Sequence, residues 1–371
     1  MNRRWICADV WMDILPSFDR PQLGLKMALI SDRFDILVDK HFDGKGELTI
    51  WNDITIRKGM EDEEKIGAKA KLFMQIKDNK DKFVEFPMQD HPLPNKIRFM
   101  DLMIMYIDHS VLAFIRVNKQ IWDRMGTNLE LEVYSYETDQ IWDVFVREIW
   151  PIFATNIRHL AFHGADALDN LRRRISPTLL TDLDQLYSIT SYGLCPDGIS
   201  DDGPNATAGQ ALSKWLHTPS KNGKAKRLRC NVFSNSECVI RSINNFRETF
   251  LRATASVGYK IRIVIRSVSY HIQLFIHVET TPIEPFELVN ERTNEKLTLT
   301  KDENGTGEFN WLLERCPIIG ETAAVQKQQQ KKDENSDANL NKVFFRLYDD
   351  IGPLSPPAEE EEEEADQSNG D

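Results

Sequence analysis

The chain has 371 residues, 41% of them hydrophobic and 28% charged, which is enough for a buried core in about two domains. That composition excludes a wholly disordered chain, and no apolar stretch approaches the roughly 18 residues of a membrane span. The net charge of −12 is concentrated from Glu321 onward, where the side chains sum to −9. The rest is close to neutral and has no basic-domain signature, so neither a membrane nor nucleic acid is expected as a partner.

The first residues and the cysteines indicate the compartment. Asp9 and Asp13 interrupt the apolar core that a secretory signal would need near the start of the chain. The five cysteines are scattered along the chain and form no C-x-x-C pair, which argues against both a disulfide framework and a zinc module. We therefore expect a soluble protein of the cytoplasm or the nucleus, with free thiols and no bound metal.

Residues 5–42 have the apolar spacing of a compact helical unit. Apolar side chains recur three and four positions apart, while Asp9 and Asp13 fall on the opposite face. Asp19 and Pro21 predict the start of a second helix. About 38 residues in short helices are too few to sustain a separate core. The apolar faces must therefore be buried by a partner or by the rest of the chain.

Residues 46–258 alternate between strand-like and helix-like segments, which predicts an α/β fold. The predicted strands are Leu48–Ile56, Leu72–Ile76, Ile97–Ile107, Leu129–Tyr136, Ile157–Phe162, Leu186–Ile189 and Leu228–Phe233. The predicted helices are His109–Trp122, Asp139–Ala154, Ala167–Ile175, Ala206–His217 and Ser236–Ala255. Successive strands in the middle of the chain start about 30 residues apart, as in leucine-rich repeats. We therefore predict a degenerate leucine-rich-repeat-like region, with an ordinary α/β sandwich as the alternative.

The C-terminal third changes character twice. Residues 259–318 contain strand-like segments without helices, which predicts an antiparallel meander that closes one end of the sheet. Residues 319–371 form an acidic low-complexity tail that is predicted to be disordered and includes the six glutamates Glu359–Glu364. The apolar segment Val343–Tyr348 lies inside this tail, and it is either a docking segment or a last strand of the sheet.

The sequence contains none of the common catalytic signatures, such as a phosphate-binding glycine loop or a nucleophile elbow. His159 and His163 lie four residues apart in a predicted strand, which separates their side chains by about 13 Å. The basic run Lys221–Arg229 is interpreted as a solvated loop before a strand. We predict no catalytic residues, no metal ligands and no cofactor.

Four segments of the chain, two near its start and two in its C-terminal third, carry recognisable motifs. Ile6–Trp11 resembles the entry of an F-box, with Cys7 where the motif has Pro, and Leu29–Phe34 resembles its later x-V-S-x-R-[FW] run. With Pro285–Leu288 and Trp311–Ile318, the chain resembles a large nematode family of F-box-like proteins, because these two stretches are similar to that family's C-terminal segment. This resemblance implies a three-helix F-box-like unit over residues 5–42, followed by a divergent α/β region over 46–258.

The resemblance implies a non-catalytic substrate receptor of an SCF-type ubiquitin ligase. The F-box-like unit would bind the ligase adaptor, and through it a cullin, while the α/β body would bind a protein target. The implied adaptor-binding residues are Ile6, Val10, Trp11, Ile14, Leu15, Phe18, Leu23, Met27, Ile30 and Phe34. The main alternative is a protein-binding scaffold whose N-terminal helices pack on its own body, and an unrecognised enzyme is a third possibility.

Overall fold

The computed structural model of the protein describes most of the chain from Cys7 to Ser355. The described residues are 7–18, 23–42, 48–50, 54–58, 70–76, 79–86, 88, 92–93, 97–99, 101–133, 139–221, 225–233, 236–266, 283–301, 309–318, 340–347 and 351–355. Within them the fold is mixed α/β, with helices packed against one long sheet. Ile6, the predicted helix start at Asp19 and the glutamate run Glu359–Glu364 lie outside the described residues.

Fifteen strands are seen in the described residues. They are β1 (Leu48–Ile50), β2 (Ile54–Lys58), β3 (Ala70–Ile76), β4 (Asn79–Phe86), β5 (Ile97–Phe99), β6 (Leu102–Ile104), β7 (Thr127–Val133), β8 (Ile157–His163), β9 (Ser188–Tyr192), β10 (Lys226–Phe233), β11 (Tyr259–Arg266), β12 (Phe286–Asn290), β13 (Glu295–Lys301), β14 (Phe309–Pro317) and β15 (Asn341–Leu347). Strands β1 and β5 pair with each other. The other thirteen form one sheet in the order β12-β13-β14-β11-β10-β9-β8-β7-β15-β6-β2-β3-β4.

The described helices are mostly short. They are α1 (Ala8–Ile14), α2 (Asp32–Phe42), α3 (His109–Val117), α4 (Lys119–Met125), α5 (Asp139–Val144), α6 (Trp150–Phe153), α7 (Ala165–Arg174), α8 (Leu179–Asp182), α9 (Ala208–His217) and α10 (Ser236–Arg252). A π-helical turn, Phe145–Ile149, joins α5 to α6. Helix α9 is capped at its start, where Thr207 and Gln210 form a reciprocal capping box.

Five consecutive strands, β7 to β11, are parallel and lie next to one another in chain order. Every connection between them steps in the same direction and contains helix. Because parallel crossovers are almost always right-handed, these helices lie on one face of the sheet. Contacts between α5 and α7, and between α9 and both α7 and α8, agree with that arrangement. In the part of the chain that the structure describes, the opposite face carries the alternate side chains of these strands, and it is called the open sheet face below.

Strand β15 lies in the middle of the sheet, parallel to β6 on one side and to β7 on the other. The interpretation of Val343–Tyr348 as a strand is therefore confirmed over Val343–Leu347. Asn341 sets the register at its start, because its amide oxygen accepts from Phe99 N at 3.1 Å and its Nδ2 donates to Ile121 O at 2.8 Å. The segment 319–371, which was predicted to be a disordered tail, therefore contains a strand of the main sheet, Asn341–Leu347.

The far end of the sheet is antiparallel, as expected for residues 259–318. Strands β12, β13 and β14 pair in sequence order, and β14 joins the parallel region through β11. A buried ion pair links two of these strands, with Arg315 Nη2 2.6 Å from Glu295 Oε2. Glu295 also accepts from Ser256 Oγ and Val257 N at 2.8 and 2.9 Å, so the pair also holds the loop that follows α10.

Several sequence-based boundaries were wrong. The helix predicted over His109–Trp122 is two helices, because Asn118 at their junction uses its side chain to bond Phe114 O and Leu93 N. The strand predicted over Leu48–Ile56 is divided between β1 and β2, which belong to different sheets, and Ile97–Ile107 is likewise divided between β5 and β6. Strand β4 was not predicted, because its first half, Asn79–Lys82, is entirely polar.

Candidate functional site

The N-terminal unit contains two α-helices and a short connecting region. Between α1 and α2 the chain forms a π-helical turn over Leu23–Met27 and a 3-10 turn over Ala28–Ile30. Gly24 lies in the π turn, and glycine costs about 1 kcal/mol in a helix relative to alanine. The Trp11 ring of α1 packs edge-on against the Phe34 ring of α2, with centroids 4.7 Å apart. Trp11 and Phe34 therefore hold the two helices together.

The structure separates the implied adaptor-binding residues into three groups. Leu15 and Leu23 are fully buried. Trp11, Ile14, Phe18, Met27 and Phe34 are half-buried. Val10 and Ile30 are the exposed pair, at 47% and 60% of their surface. Among the described members of this set, Val10 and Ile30 are therefore the side chains most available to another molecule.

Ile36 is a third exposed apolar side chain of the described N-terminal unit, and sequence reasoning missed it. Its surface is 66% exposed, whereas its neighbours Leu37 and Val38 are buried. Three consecutive apolar residues span about 200° of a helix, so one of them must leave the buried stripe. Val10, Ile30 and Ile36 are called the N-terminal apolar residues below.

The open sheet face carries the second candidate surface. Its side chains alternate along the strands with the buried apolar side chains that face the helices, such as Leu160, Ile189 and Leu228. The central part of the face is formed by Glu130 and Glu132 on β7, His159 and His163 on β8, Thr190 and Tyr192 on β9, Arg227 and Arg229 on β10, and Lys260 and Arg262 on β11.

A polar and aromatic cluster occupies one half of this face. His163 Nε2 lies 3.0 Å from Glu130 Oε1, and its ring stacks on Tyr192 with centroids 4.1 Å apart. Arg346 on β15 donates to Glu132 Oε2 at 2.8 Å. Burial alone would raise the pKa of Glu130, but the hydrogen bond and charge of His163, with other nearby cations, lower it overall. Each of the two glutamates in this half is therefore paired with a basic side chain, Glu130 with His163 and Glu132 with Arg346.

The other half of the face is basic. Arg229 lies directly opposite Arg262 in the parallel register of β10 and β11, and both side chains are exposed. The loop interpretation of Lys221–Arg229 was wrong in part, because β10 begins at Lys226 and places Arg227 and Arg229 in the sheet. Lys226 itself is buried, which lowers its pKa to about 8. Its ammonium donates to Trp215 O.

A cleft of about 560 Å³ lies beside α9 and α10 and contains His217. The Nδ1 atom of His217 lies 2.8 Å from both Ser213 O and Ser200 Oγ. A proton on Nδ1 satisfies the carbonyl, so Nδ1 is not the base that would activate Ser200 as a nucleophile. Nε2 is buried without a hydrogen-bond partner among the described residues, and burial lowers the pKa of His217 to about 4.

This buried imidazole makes stability depend on pH. The pKa of an unfolded histidine is about 6.5, so the unfolded chain binds more protons than the folded one between pH 6.5 and 4. The contribution of the neutral His217 imidazole to the free energy of unfolding is complete above pH 6.5 and is lost as the pH falls toward 4. We expect the free energy of unfolding in urea to fall by about 2 kcal/mol from this group between pH 7 and pH 5.

This fall in the free energy of unfolding between pH 7 and pH 5 should be lost in His217→Asn. It should persist in Ser200→Ala, which removes the neighbouring hydroxyl but keeps the imidazole. Urea titrations of the three chains at pH 7 and pH 5 provide the comparison. An equal pH dependence in His217→Asn and the parent chain would contradict this assignment.

Comparison with protein-family models, curated proteins and solved structures found no match. Within the part of the chain that the structure describes, no helix is long and apolar enough to cross a bilayer. In the same residues, no three His, Cys, Asp or Glu side chains are grouped so that they could hold a metal ion. The described surfaces that remain as candidates are the N-terminal apolar residues and the open sheet face.

Proposed function

We propose that the protein is a non-catalytic substrate receptor of an SCF-type ubiquitin ligase. The N-terminal unit would bind the ligase adaptor, and the open sheet face would bind a protein target. Such a receptor needs no reactive group of its own, because it acts by raising the concentration of the target near the ligase. The observation that carries the proposal is the exposure of Val10, Ile30 and Ile36 on the unit that resembles an F-box.

Exposed isoleucine and valine side chains on short helices suit docking into an apolar groove of a partner. Each of them loses about 1.5–3 kcal/mol of favourable burial by remaining in water. The half-buried Ile14 and Met27 of the same unit can add contact area at the rim of such an interface. The size of the unit agrees with this role, since it is too small to form a separate domain.

The body suits target binding through its strand order. Parallel strands that follow one another in chain order, with helices on one face only, are the arrangement of a leucine-rich-repeat-like solenoid. In that arrangement the helix-free face is available for binding. Here it carries aromatic, acidic and basic side chains such as Tyr192, Glu130 and Arg229. Polar and aromatic groups of this kind are typical of protein interfaces.

A second candidate function is a scaffold whose N-terminal helices are part of its own core. One observation favours it: Leu15, Leu23, Leu37 and Val38 are buried in the same continuous apolar cluster as the body. A scaffold of this kind would bind a partner through the open sheet face and would have no connection to ubiquitination.

The two functions are separated by charge substitution at the exposed positions. We expect Ile30→Asp to reduce co-elution with the ligase adaptor by at least about tenfold, since an aspartate buried in an apolar interface costs several kcal/mol. Ile199→Asp is the matched control, because Ile199 is similarly exposed, at 55%, but lies in the body. Both variants should keep the melting temperature of the parent chain.

Equal adaptor binding by the Ile30→Asp and Ile199→Asp chains would contradict the proposal. A large fall in the melting temperature of Ile30→Asp would instead favour the scaffold, because it would mean that Ile30 is needed for packing. Circular dichroism and size-exclusion chromatography on the same samples distinguish these results.

A further inference from the structure

Three cysteines that are distant in the sequence meet in the body of the protein. Cys195 lies in the loop after β9, Cys230 lies on β10, and Cys238 lies in the first turn of α10. The thiol of Cys195 is in hydrogen-bond contact with the thiols of both Cys230 and Cys238. These three residues are called the cysteine cluster below.

The loop that carries Cys195 is fixed to β10 by contacts that do not involve sulfur. Cys230 lies directly opposite Ser191 in the parallel register of β10 and β9. Two residues later, Gly193 N donates to Asn231 O at 2.8 Å, next to Cys230. The chain therefore leaves β9 alongside Cys230 and reaches Cys195 within two further residues.

The same loop is fixed to α10 on its other side. Ser242 Oγ donates to Pro196 O at 2.5 Å, and Asn245 Nδ2 donates to Asp197 O at 2.6 Å. Ser242 follows Cys238 by four residues, so both side chains lie on the same face of the helix. Strand, loop and helix thus bring the three thiols together through hydrogen bonds of the surrounding chain.

The three thiols differ in their access to solvent. Cys230 is fully buried and Cys195 is 8% exposed, whereas Cys238 is half-buried. An oxidant in solution therefore meets Cys238 first. The hydrogen bond to Cys230 and burial raise the pKa of Cys195, and the hydrogen bond to Cys195 and burial raise the pKa of Cys238. The thiolate is the reactive form, so the cluster reacts slowly with weak oxidants and stays reduced in their presence.

We propose that the cysteine cluster is an oxidation site at which a peroxide converts Cys195 and Cys238 into a reversible disulfide. Cys238 loses its thiol proton and attacks one peroxide oxygen, which leaves a sulfenic acid on Cys238 and releases water. Cys195 then loses its proton and attacks that sulfur, so that the S–S bond forms and a second water leaves. The two thiols give two electrons to the peroxide. The sulfurs need only close from hydrogen-bond contact to about 2.05 Å.

The disulfide ties the loop after β9 to the start of α10. This loop continues to Ile199 and Ser200, which line the cleft that contains His217. Oxidation therefore fixes one wall of that cleft to the helix that forms another. The inference goes beyond the receptor function and does not depend on adaptor binding.

Disulfide mapping of the full chain tests the proposal. The reduced chain is treated with excess hydrogen peroxide, its remaining thiols are blocked with N-ethylmaleimide in acidic denaturant, and its peptides are identified by mass spectrometry without reduction. Trypsin leaves Cys230 and Cys238 in one peptide, 230–241, so chymotryptic cleavage after Phe233 is added to separate them. The Cys195–Cys238 link should exceed every other pair by at least about tenfold, because this pair combines contact with access to the oxidant. Dithiothreitol should remove the link.

Substitution of single cysteines in the full chain tests the role of each thiol. In Cys195→Ser, Cys238 has lost the thiol that captures its sulfenic acid, so peroxide should oxidise it to a sulfinic acid that dithiothreitol does not reverse. Cys316→Ser is the matched control, because Cys316 is also half-buried but lies on β14, and it should keep the link at the level of the parent chain. Cys195→Ala replaces Cys195→Ser if the serine variant does not fold.

Three results would overturn the proposal. A dominant link between Cys195 and Cys230 would mean that access to solvent does not select the pair. Sulfinic acid on Cys238 of the parent chain, without a link, would mean that Cys195 does not reach it. The same yield of the Cys195–Cys238 link in the guanidinium-unfolded chain would mean that the fold does not direct the pairing. Adaptor co-elution of the reduced chain tests the proposed function separately, and either test can fail without the other.

Discussion

Arg315→Met is expected to lower the free energy of unfolding by about 3–5 kcal/mol, because it leaves a buried carboxylate without its partner. Both Arg315 and Glu295 are almost completely shielded from solvent, and Arg315 Nε and Nη2 contact the same carboxylate oxygen at 3.0 and 2.6 Å. Arg315 also donates to Ala255 O at 2.8 Å. The substitution therefore removes an ion pair and a support of the loop after α10.

The double variant Arg315→Met with Glu295→Gln is the control for this prediction. It removes the uncompensated charge, so it should recover a large part of the loss. The single variant should also be less destabilised at pH 5 than at pH 7, since a buried carboxylate without its partner has a raised pKa and takes up a proton on acidification. Urea unfolding at both pH values measures this. A loss below about 1 kcal/mol in the single variant would contradict the account.

Phe345→Ala is expected to have an effect of similar size, a loss of about 3–5 kcal/mol, because Phe345 is fully buried in a strand at the centre of the sheet. Its ring centre lies 5.3 Å from that of Phe145 and 6.0 Å from that of Phe153. The cavity left by alanine would open between β15 and the helical layer.

Phe344→Ala is the matched control, since Phe344 is the preceding residue of the same strand and points to the open sheet face. Its ring is stacked with that of His163 at 6.3 Å and contacts the Arg346 guanidinium at 5.0 Å. We expect about half the loss or less, because the Phe344 ring, although only 7% exposed, packs against polar side chains of the sheet face rather than inside the apolar helical core. Urea unfolding of both variants gives the comparison. A larger loss for Phe344→Ala would contradict the placement of β15.

Local sequence patterns were sufficient to predict many of the strands and helices of the α/β body. Ile157–Phe162 and Leu228–Phe233 were found as strands because their apolar residues alternate or run together, and a buried sheet requires that. The helix predicted at Ala206–His217 is seen as α9, Ala208–His217, and the capping box of Thr207 and Gln210 explains where it begins. Trp122 and Phe153, which lie in the predicted helices His109–Trp122 and Asp139–Ala154, are fully buried.

The features that sequence patterns did not predict depend on contacts between residues that are distant in the sequence. In the sequence, nothing distinguishes Asn118 from the other residues of the predicted helix. It ends α3 because its side chain accepts a hydrogen bond from Leu93 N and donates one to Phe114 O. The position of β15 depends on β6 and β7, which lie more than 200 residues earlier in the chain. The arginine pair on β10 and β11 likewise appears only when the register is known.

The most direct test of the receptor function is co-expression of residues 1–371 with the ligase adaptor, followed by size-exclusion chromatography. The account predicts a stoichiometric complex that is lost with Ile30→Asp and retained with Ile199→Asp. A folded chain that elutes without the adaptor would contradict it and would leave the scaffold as the function of this fold.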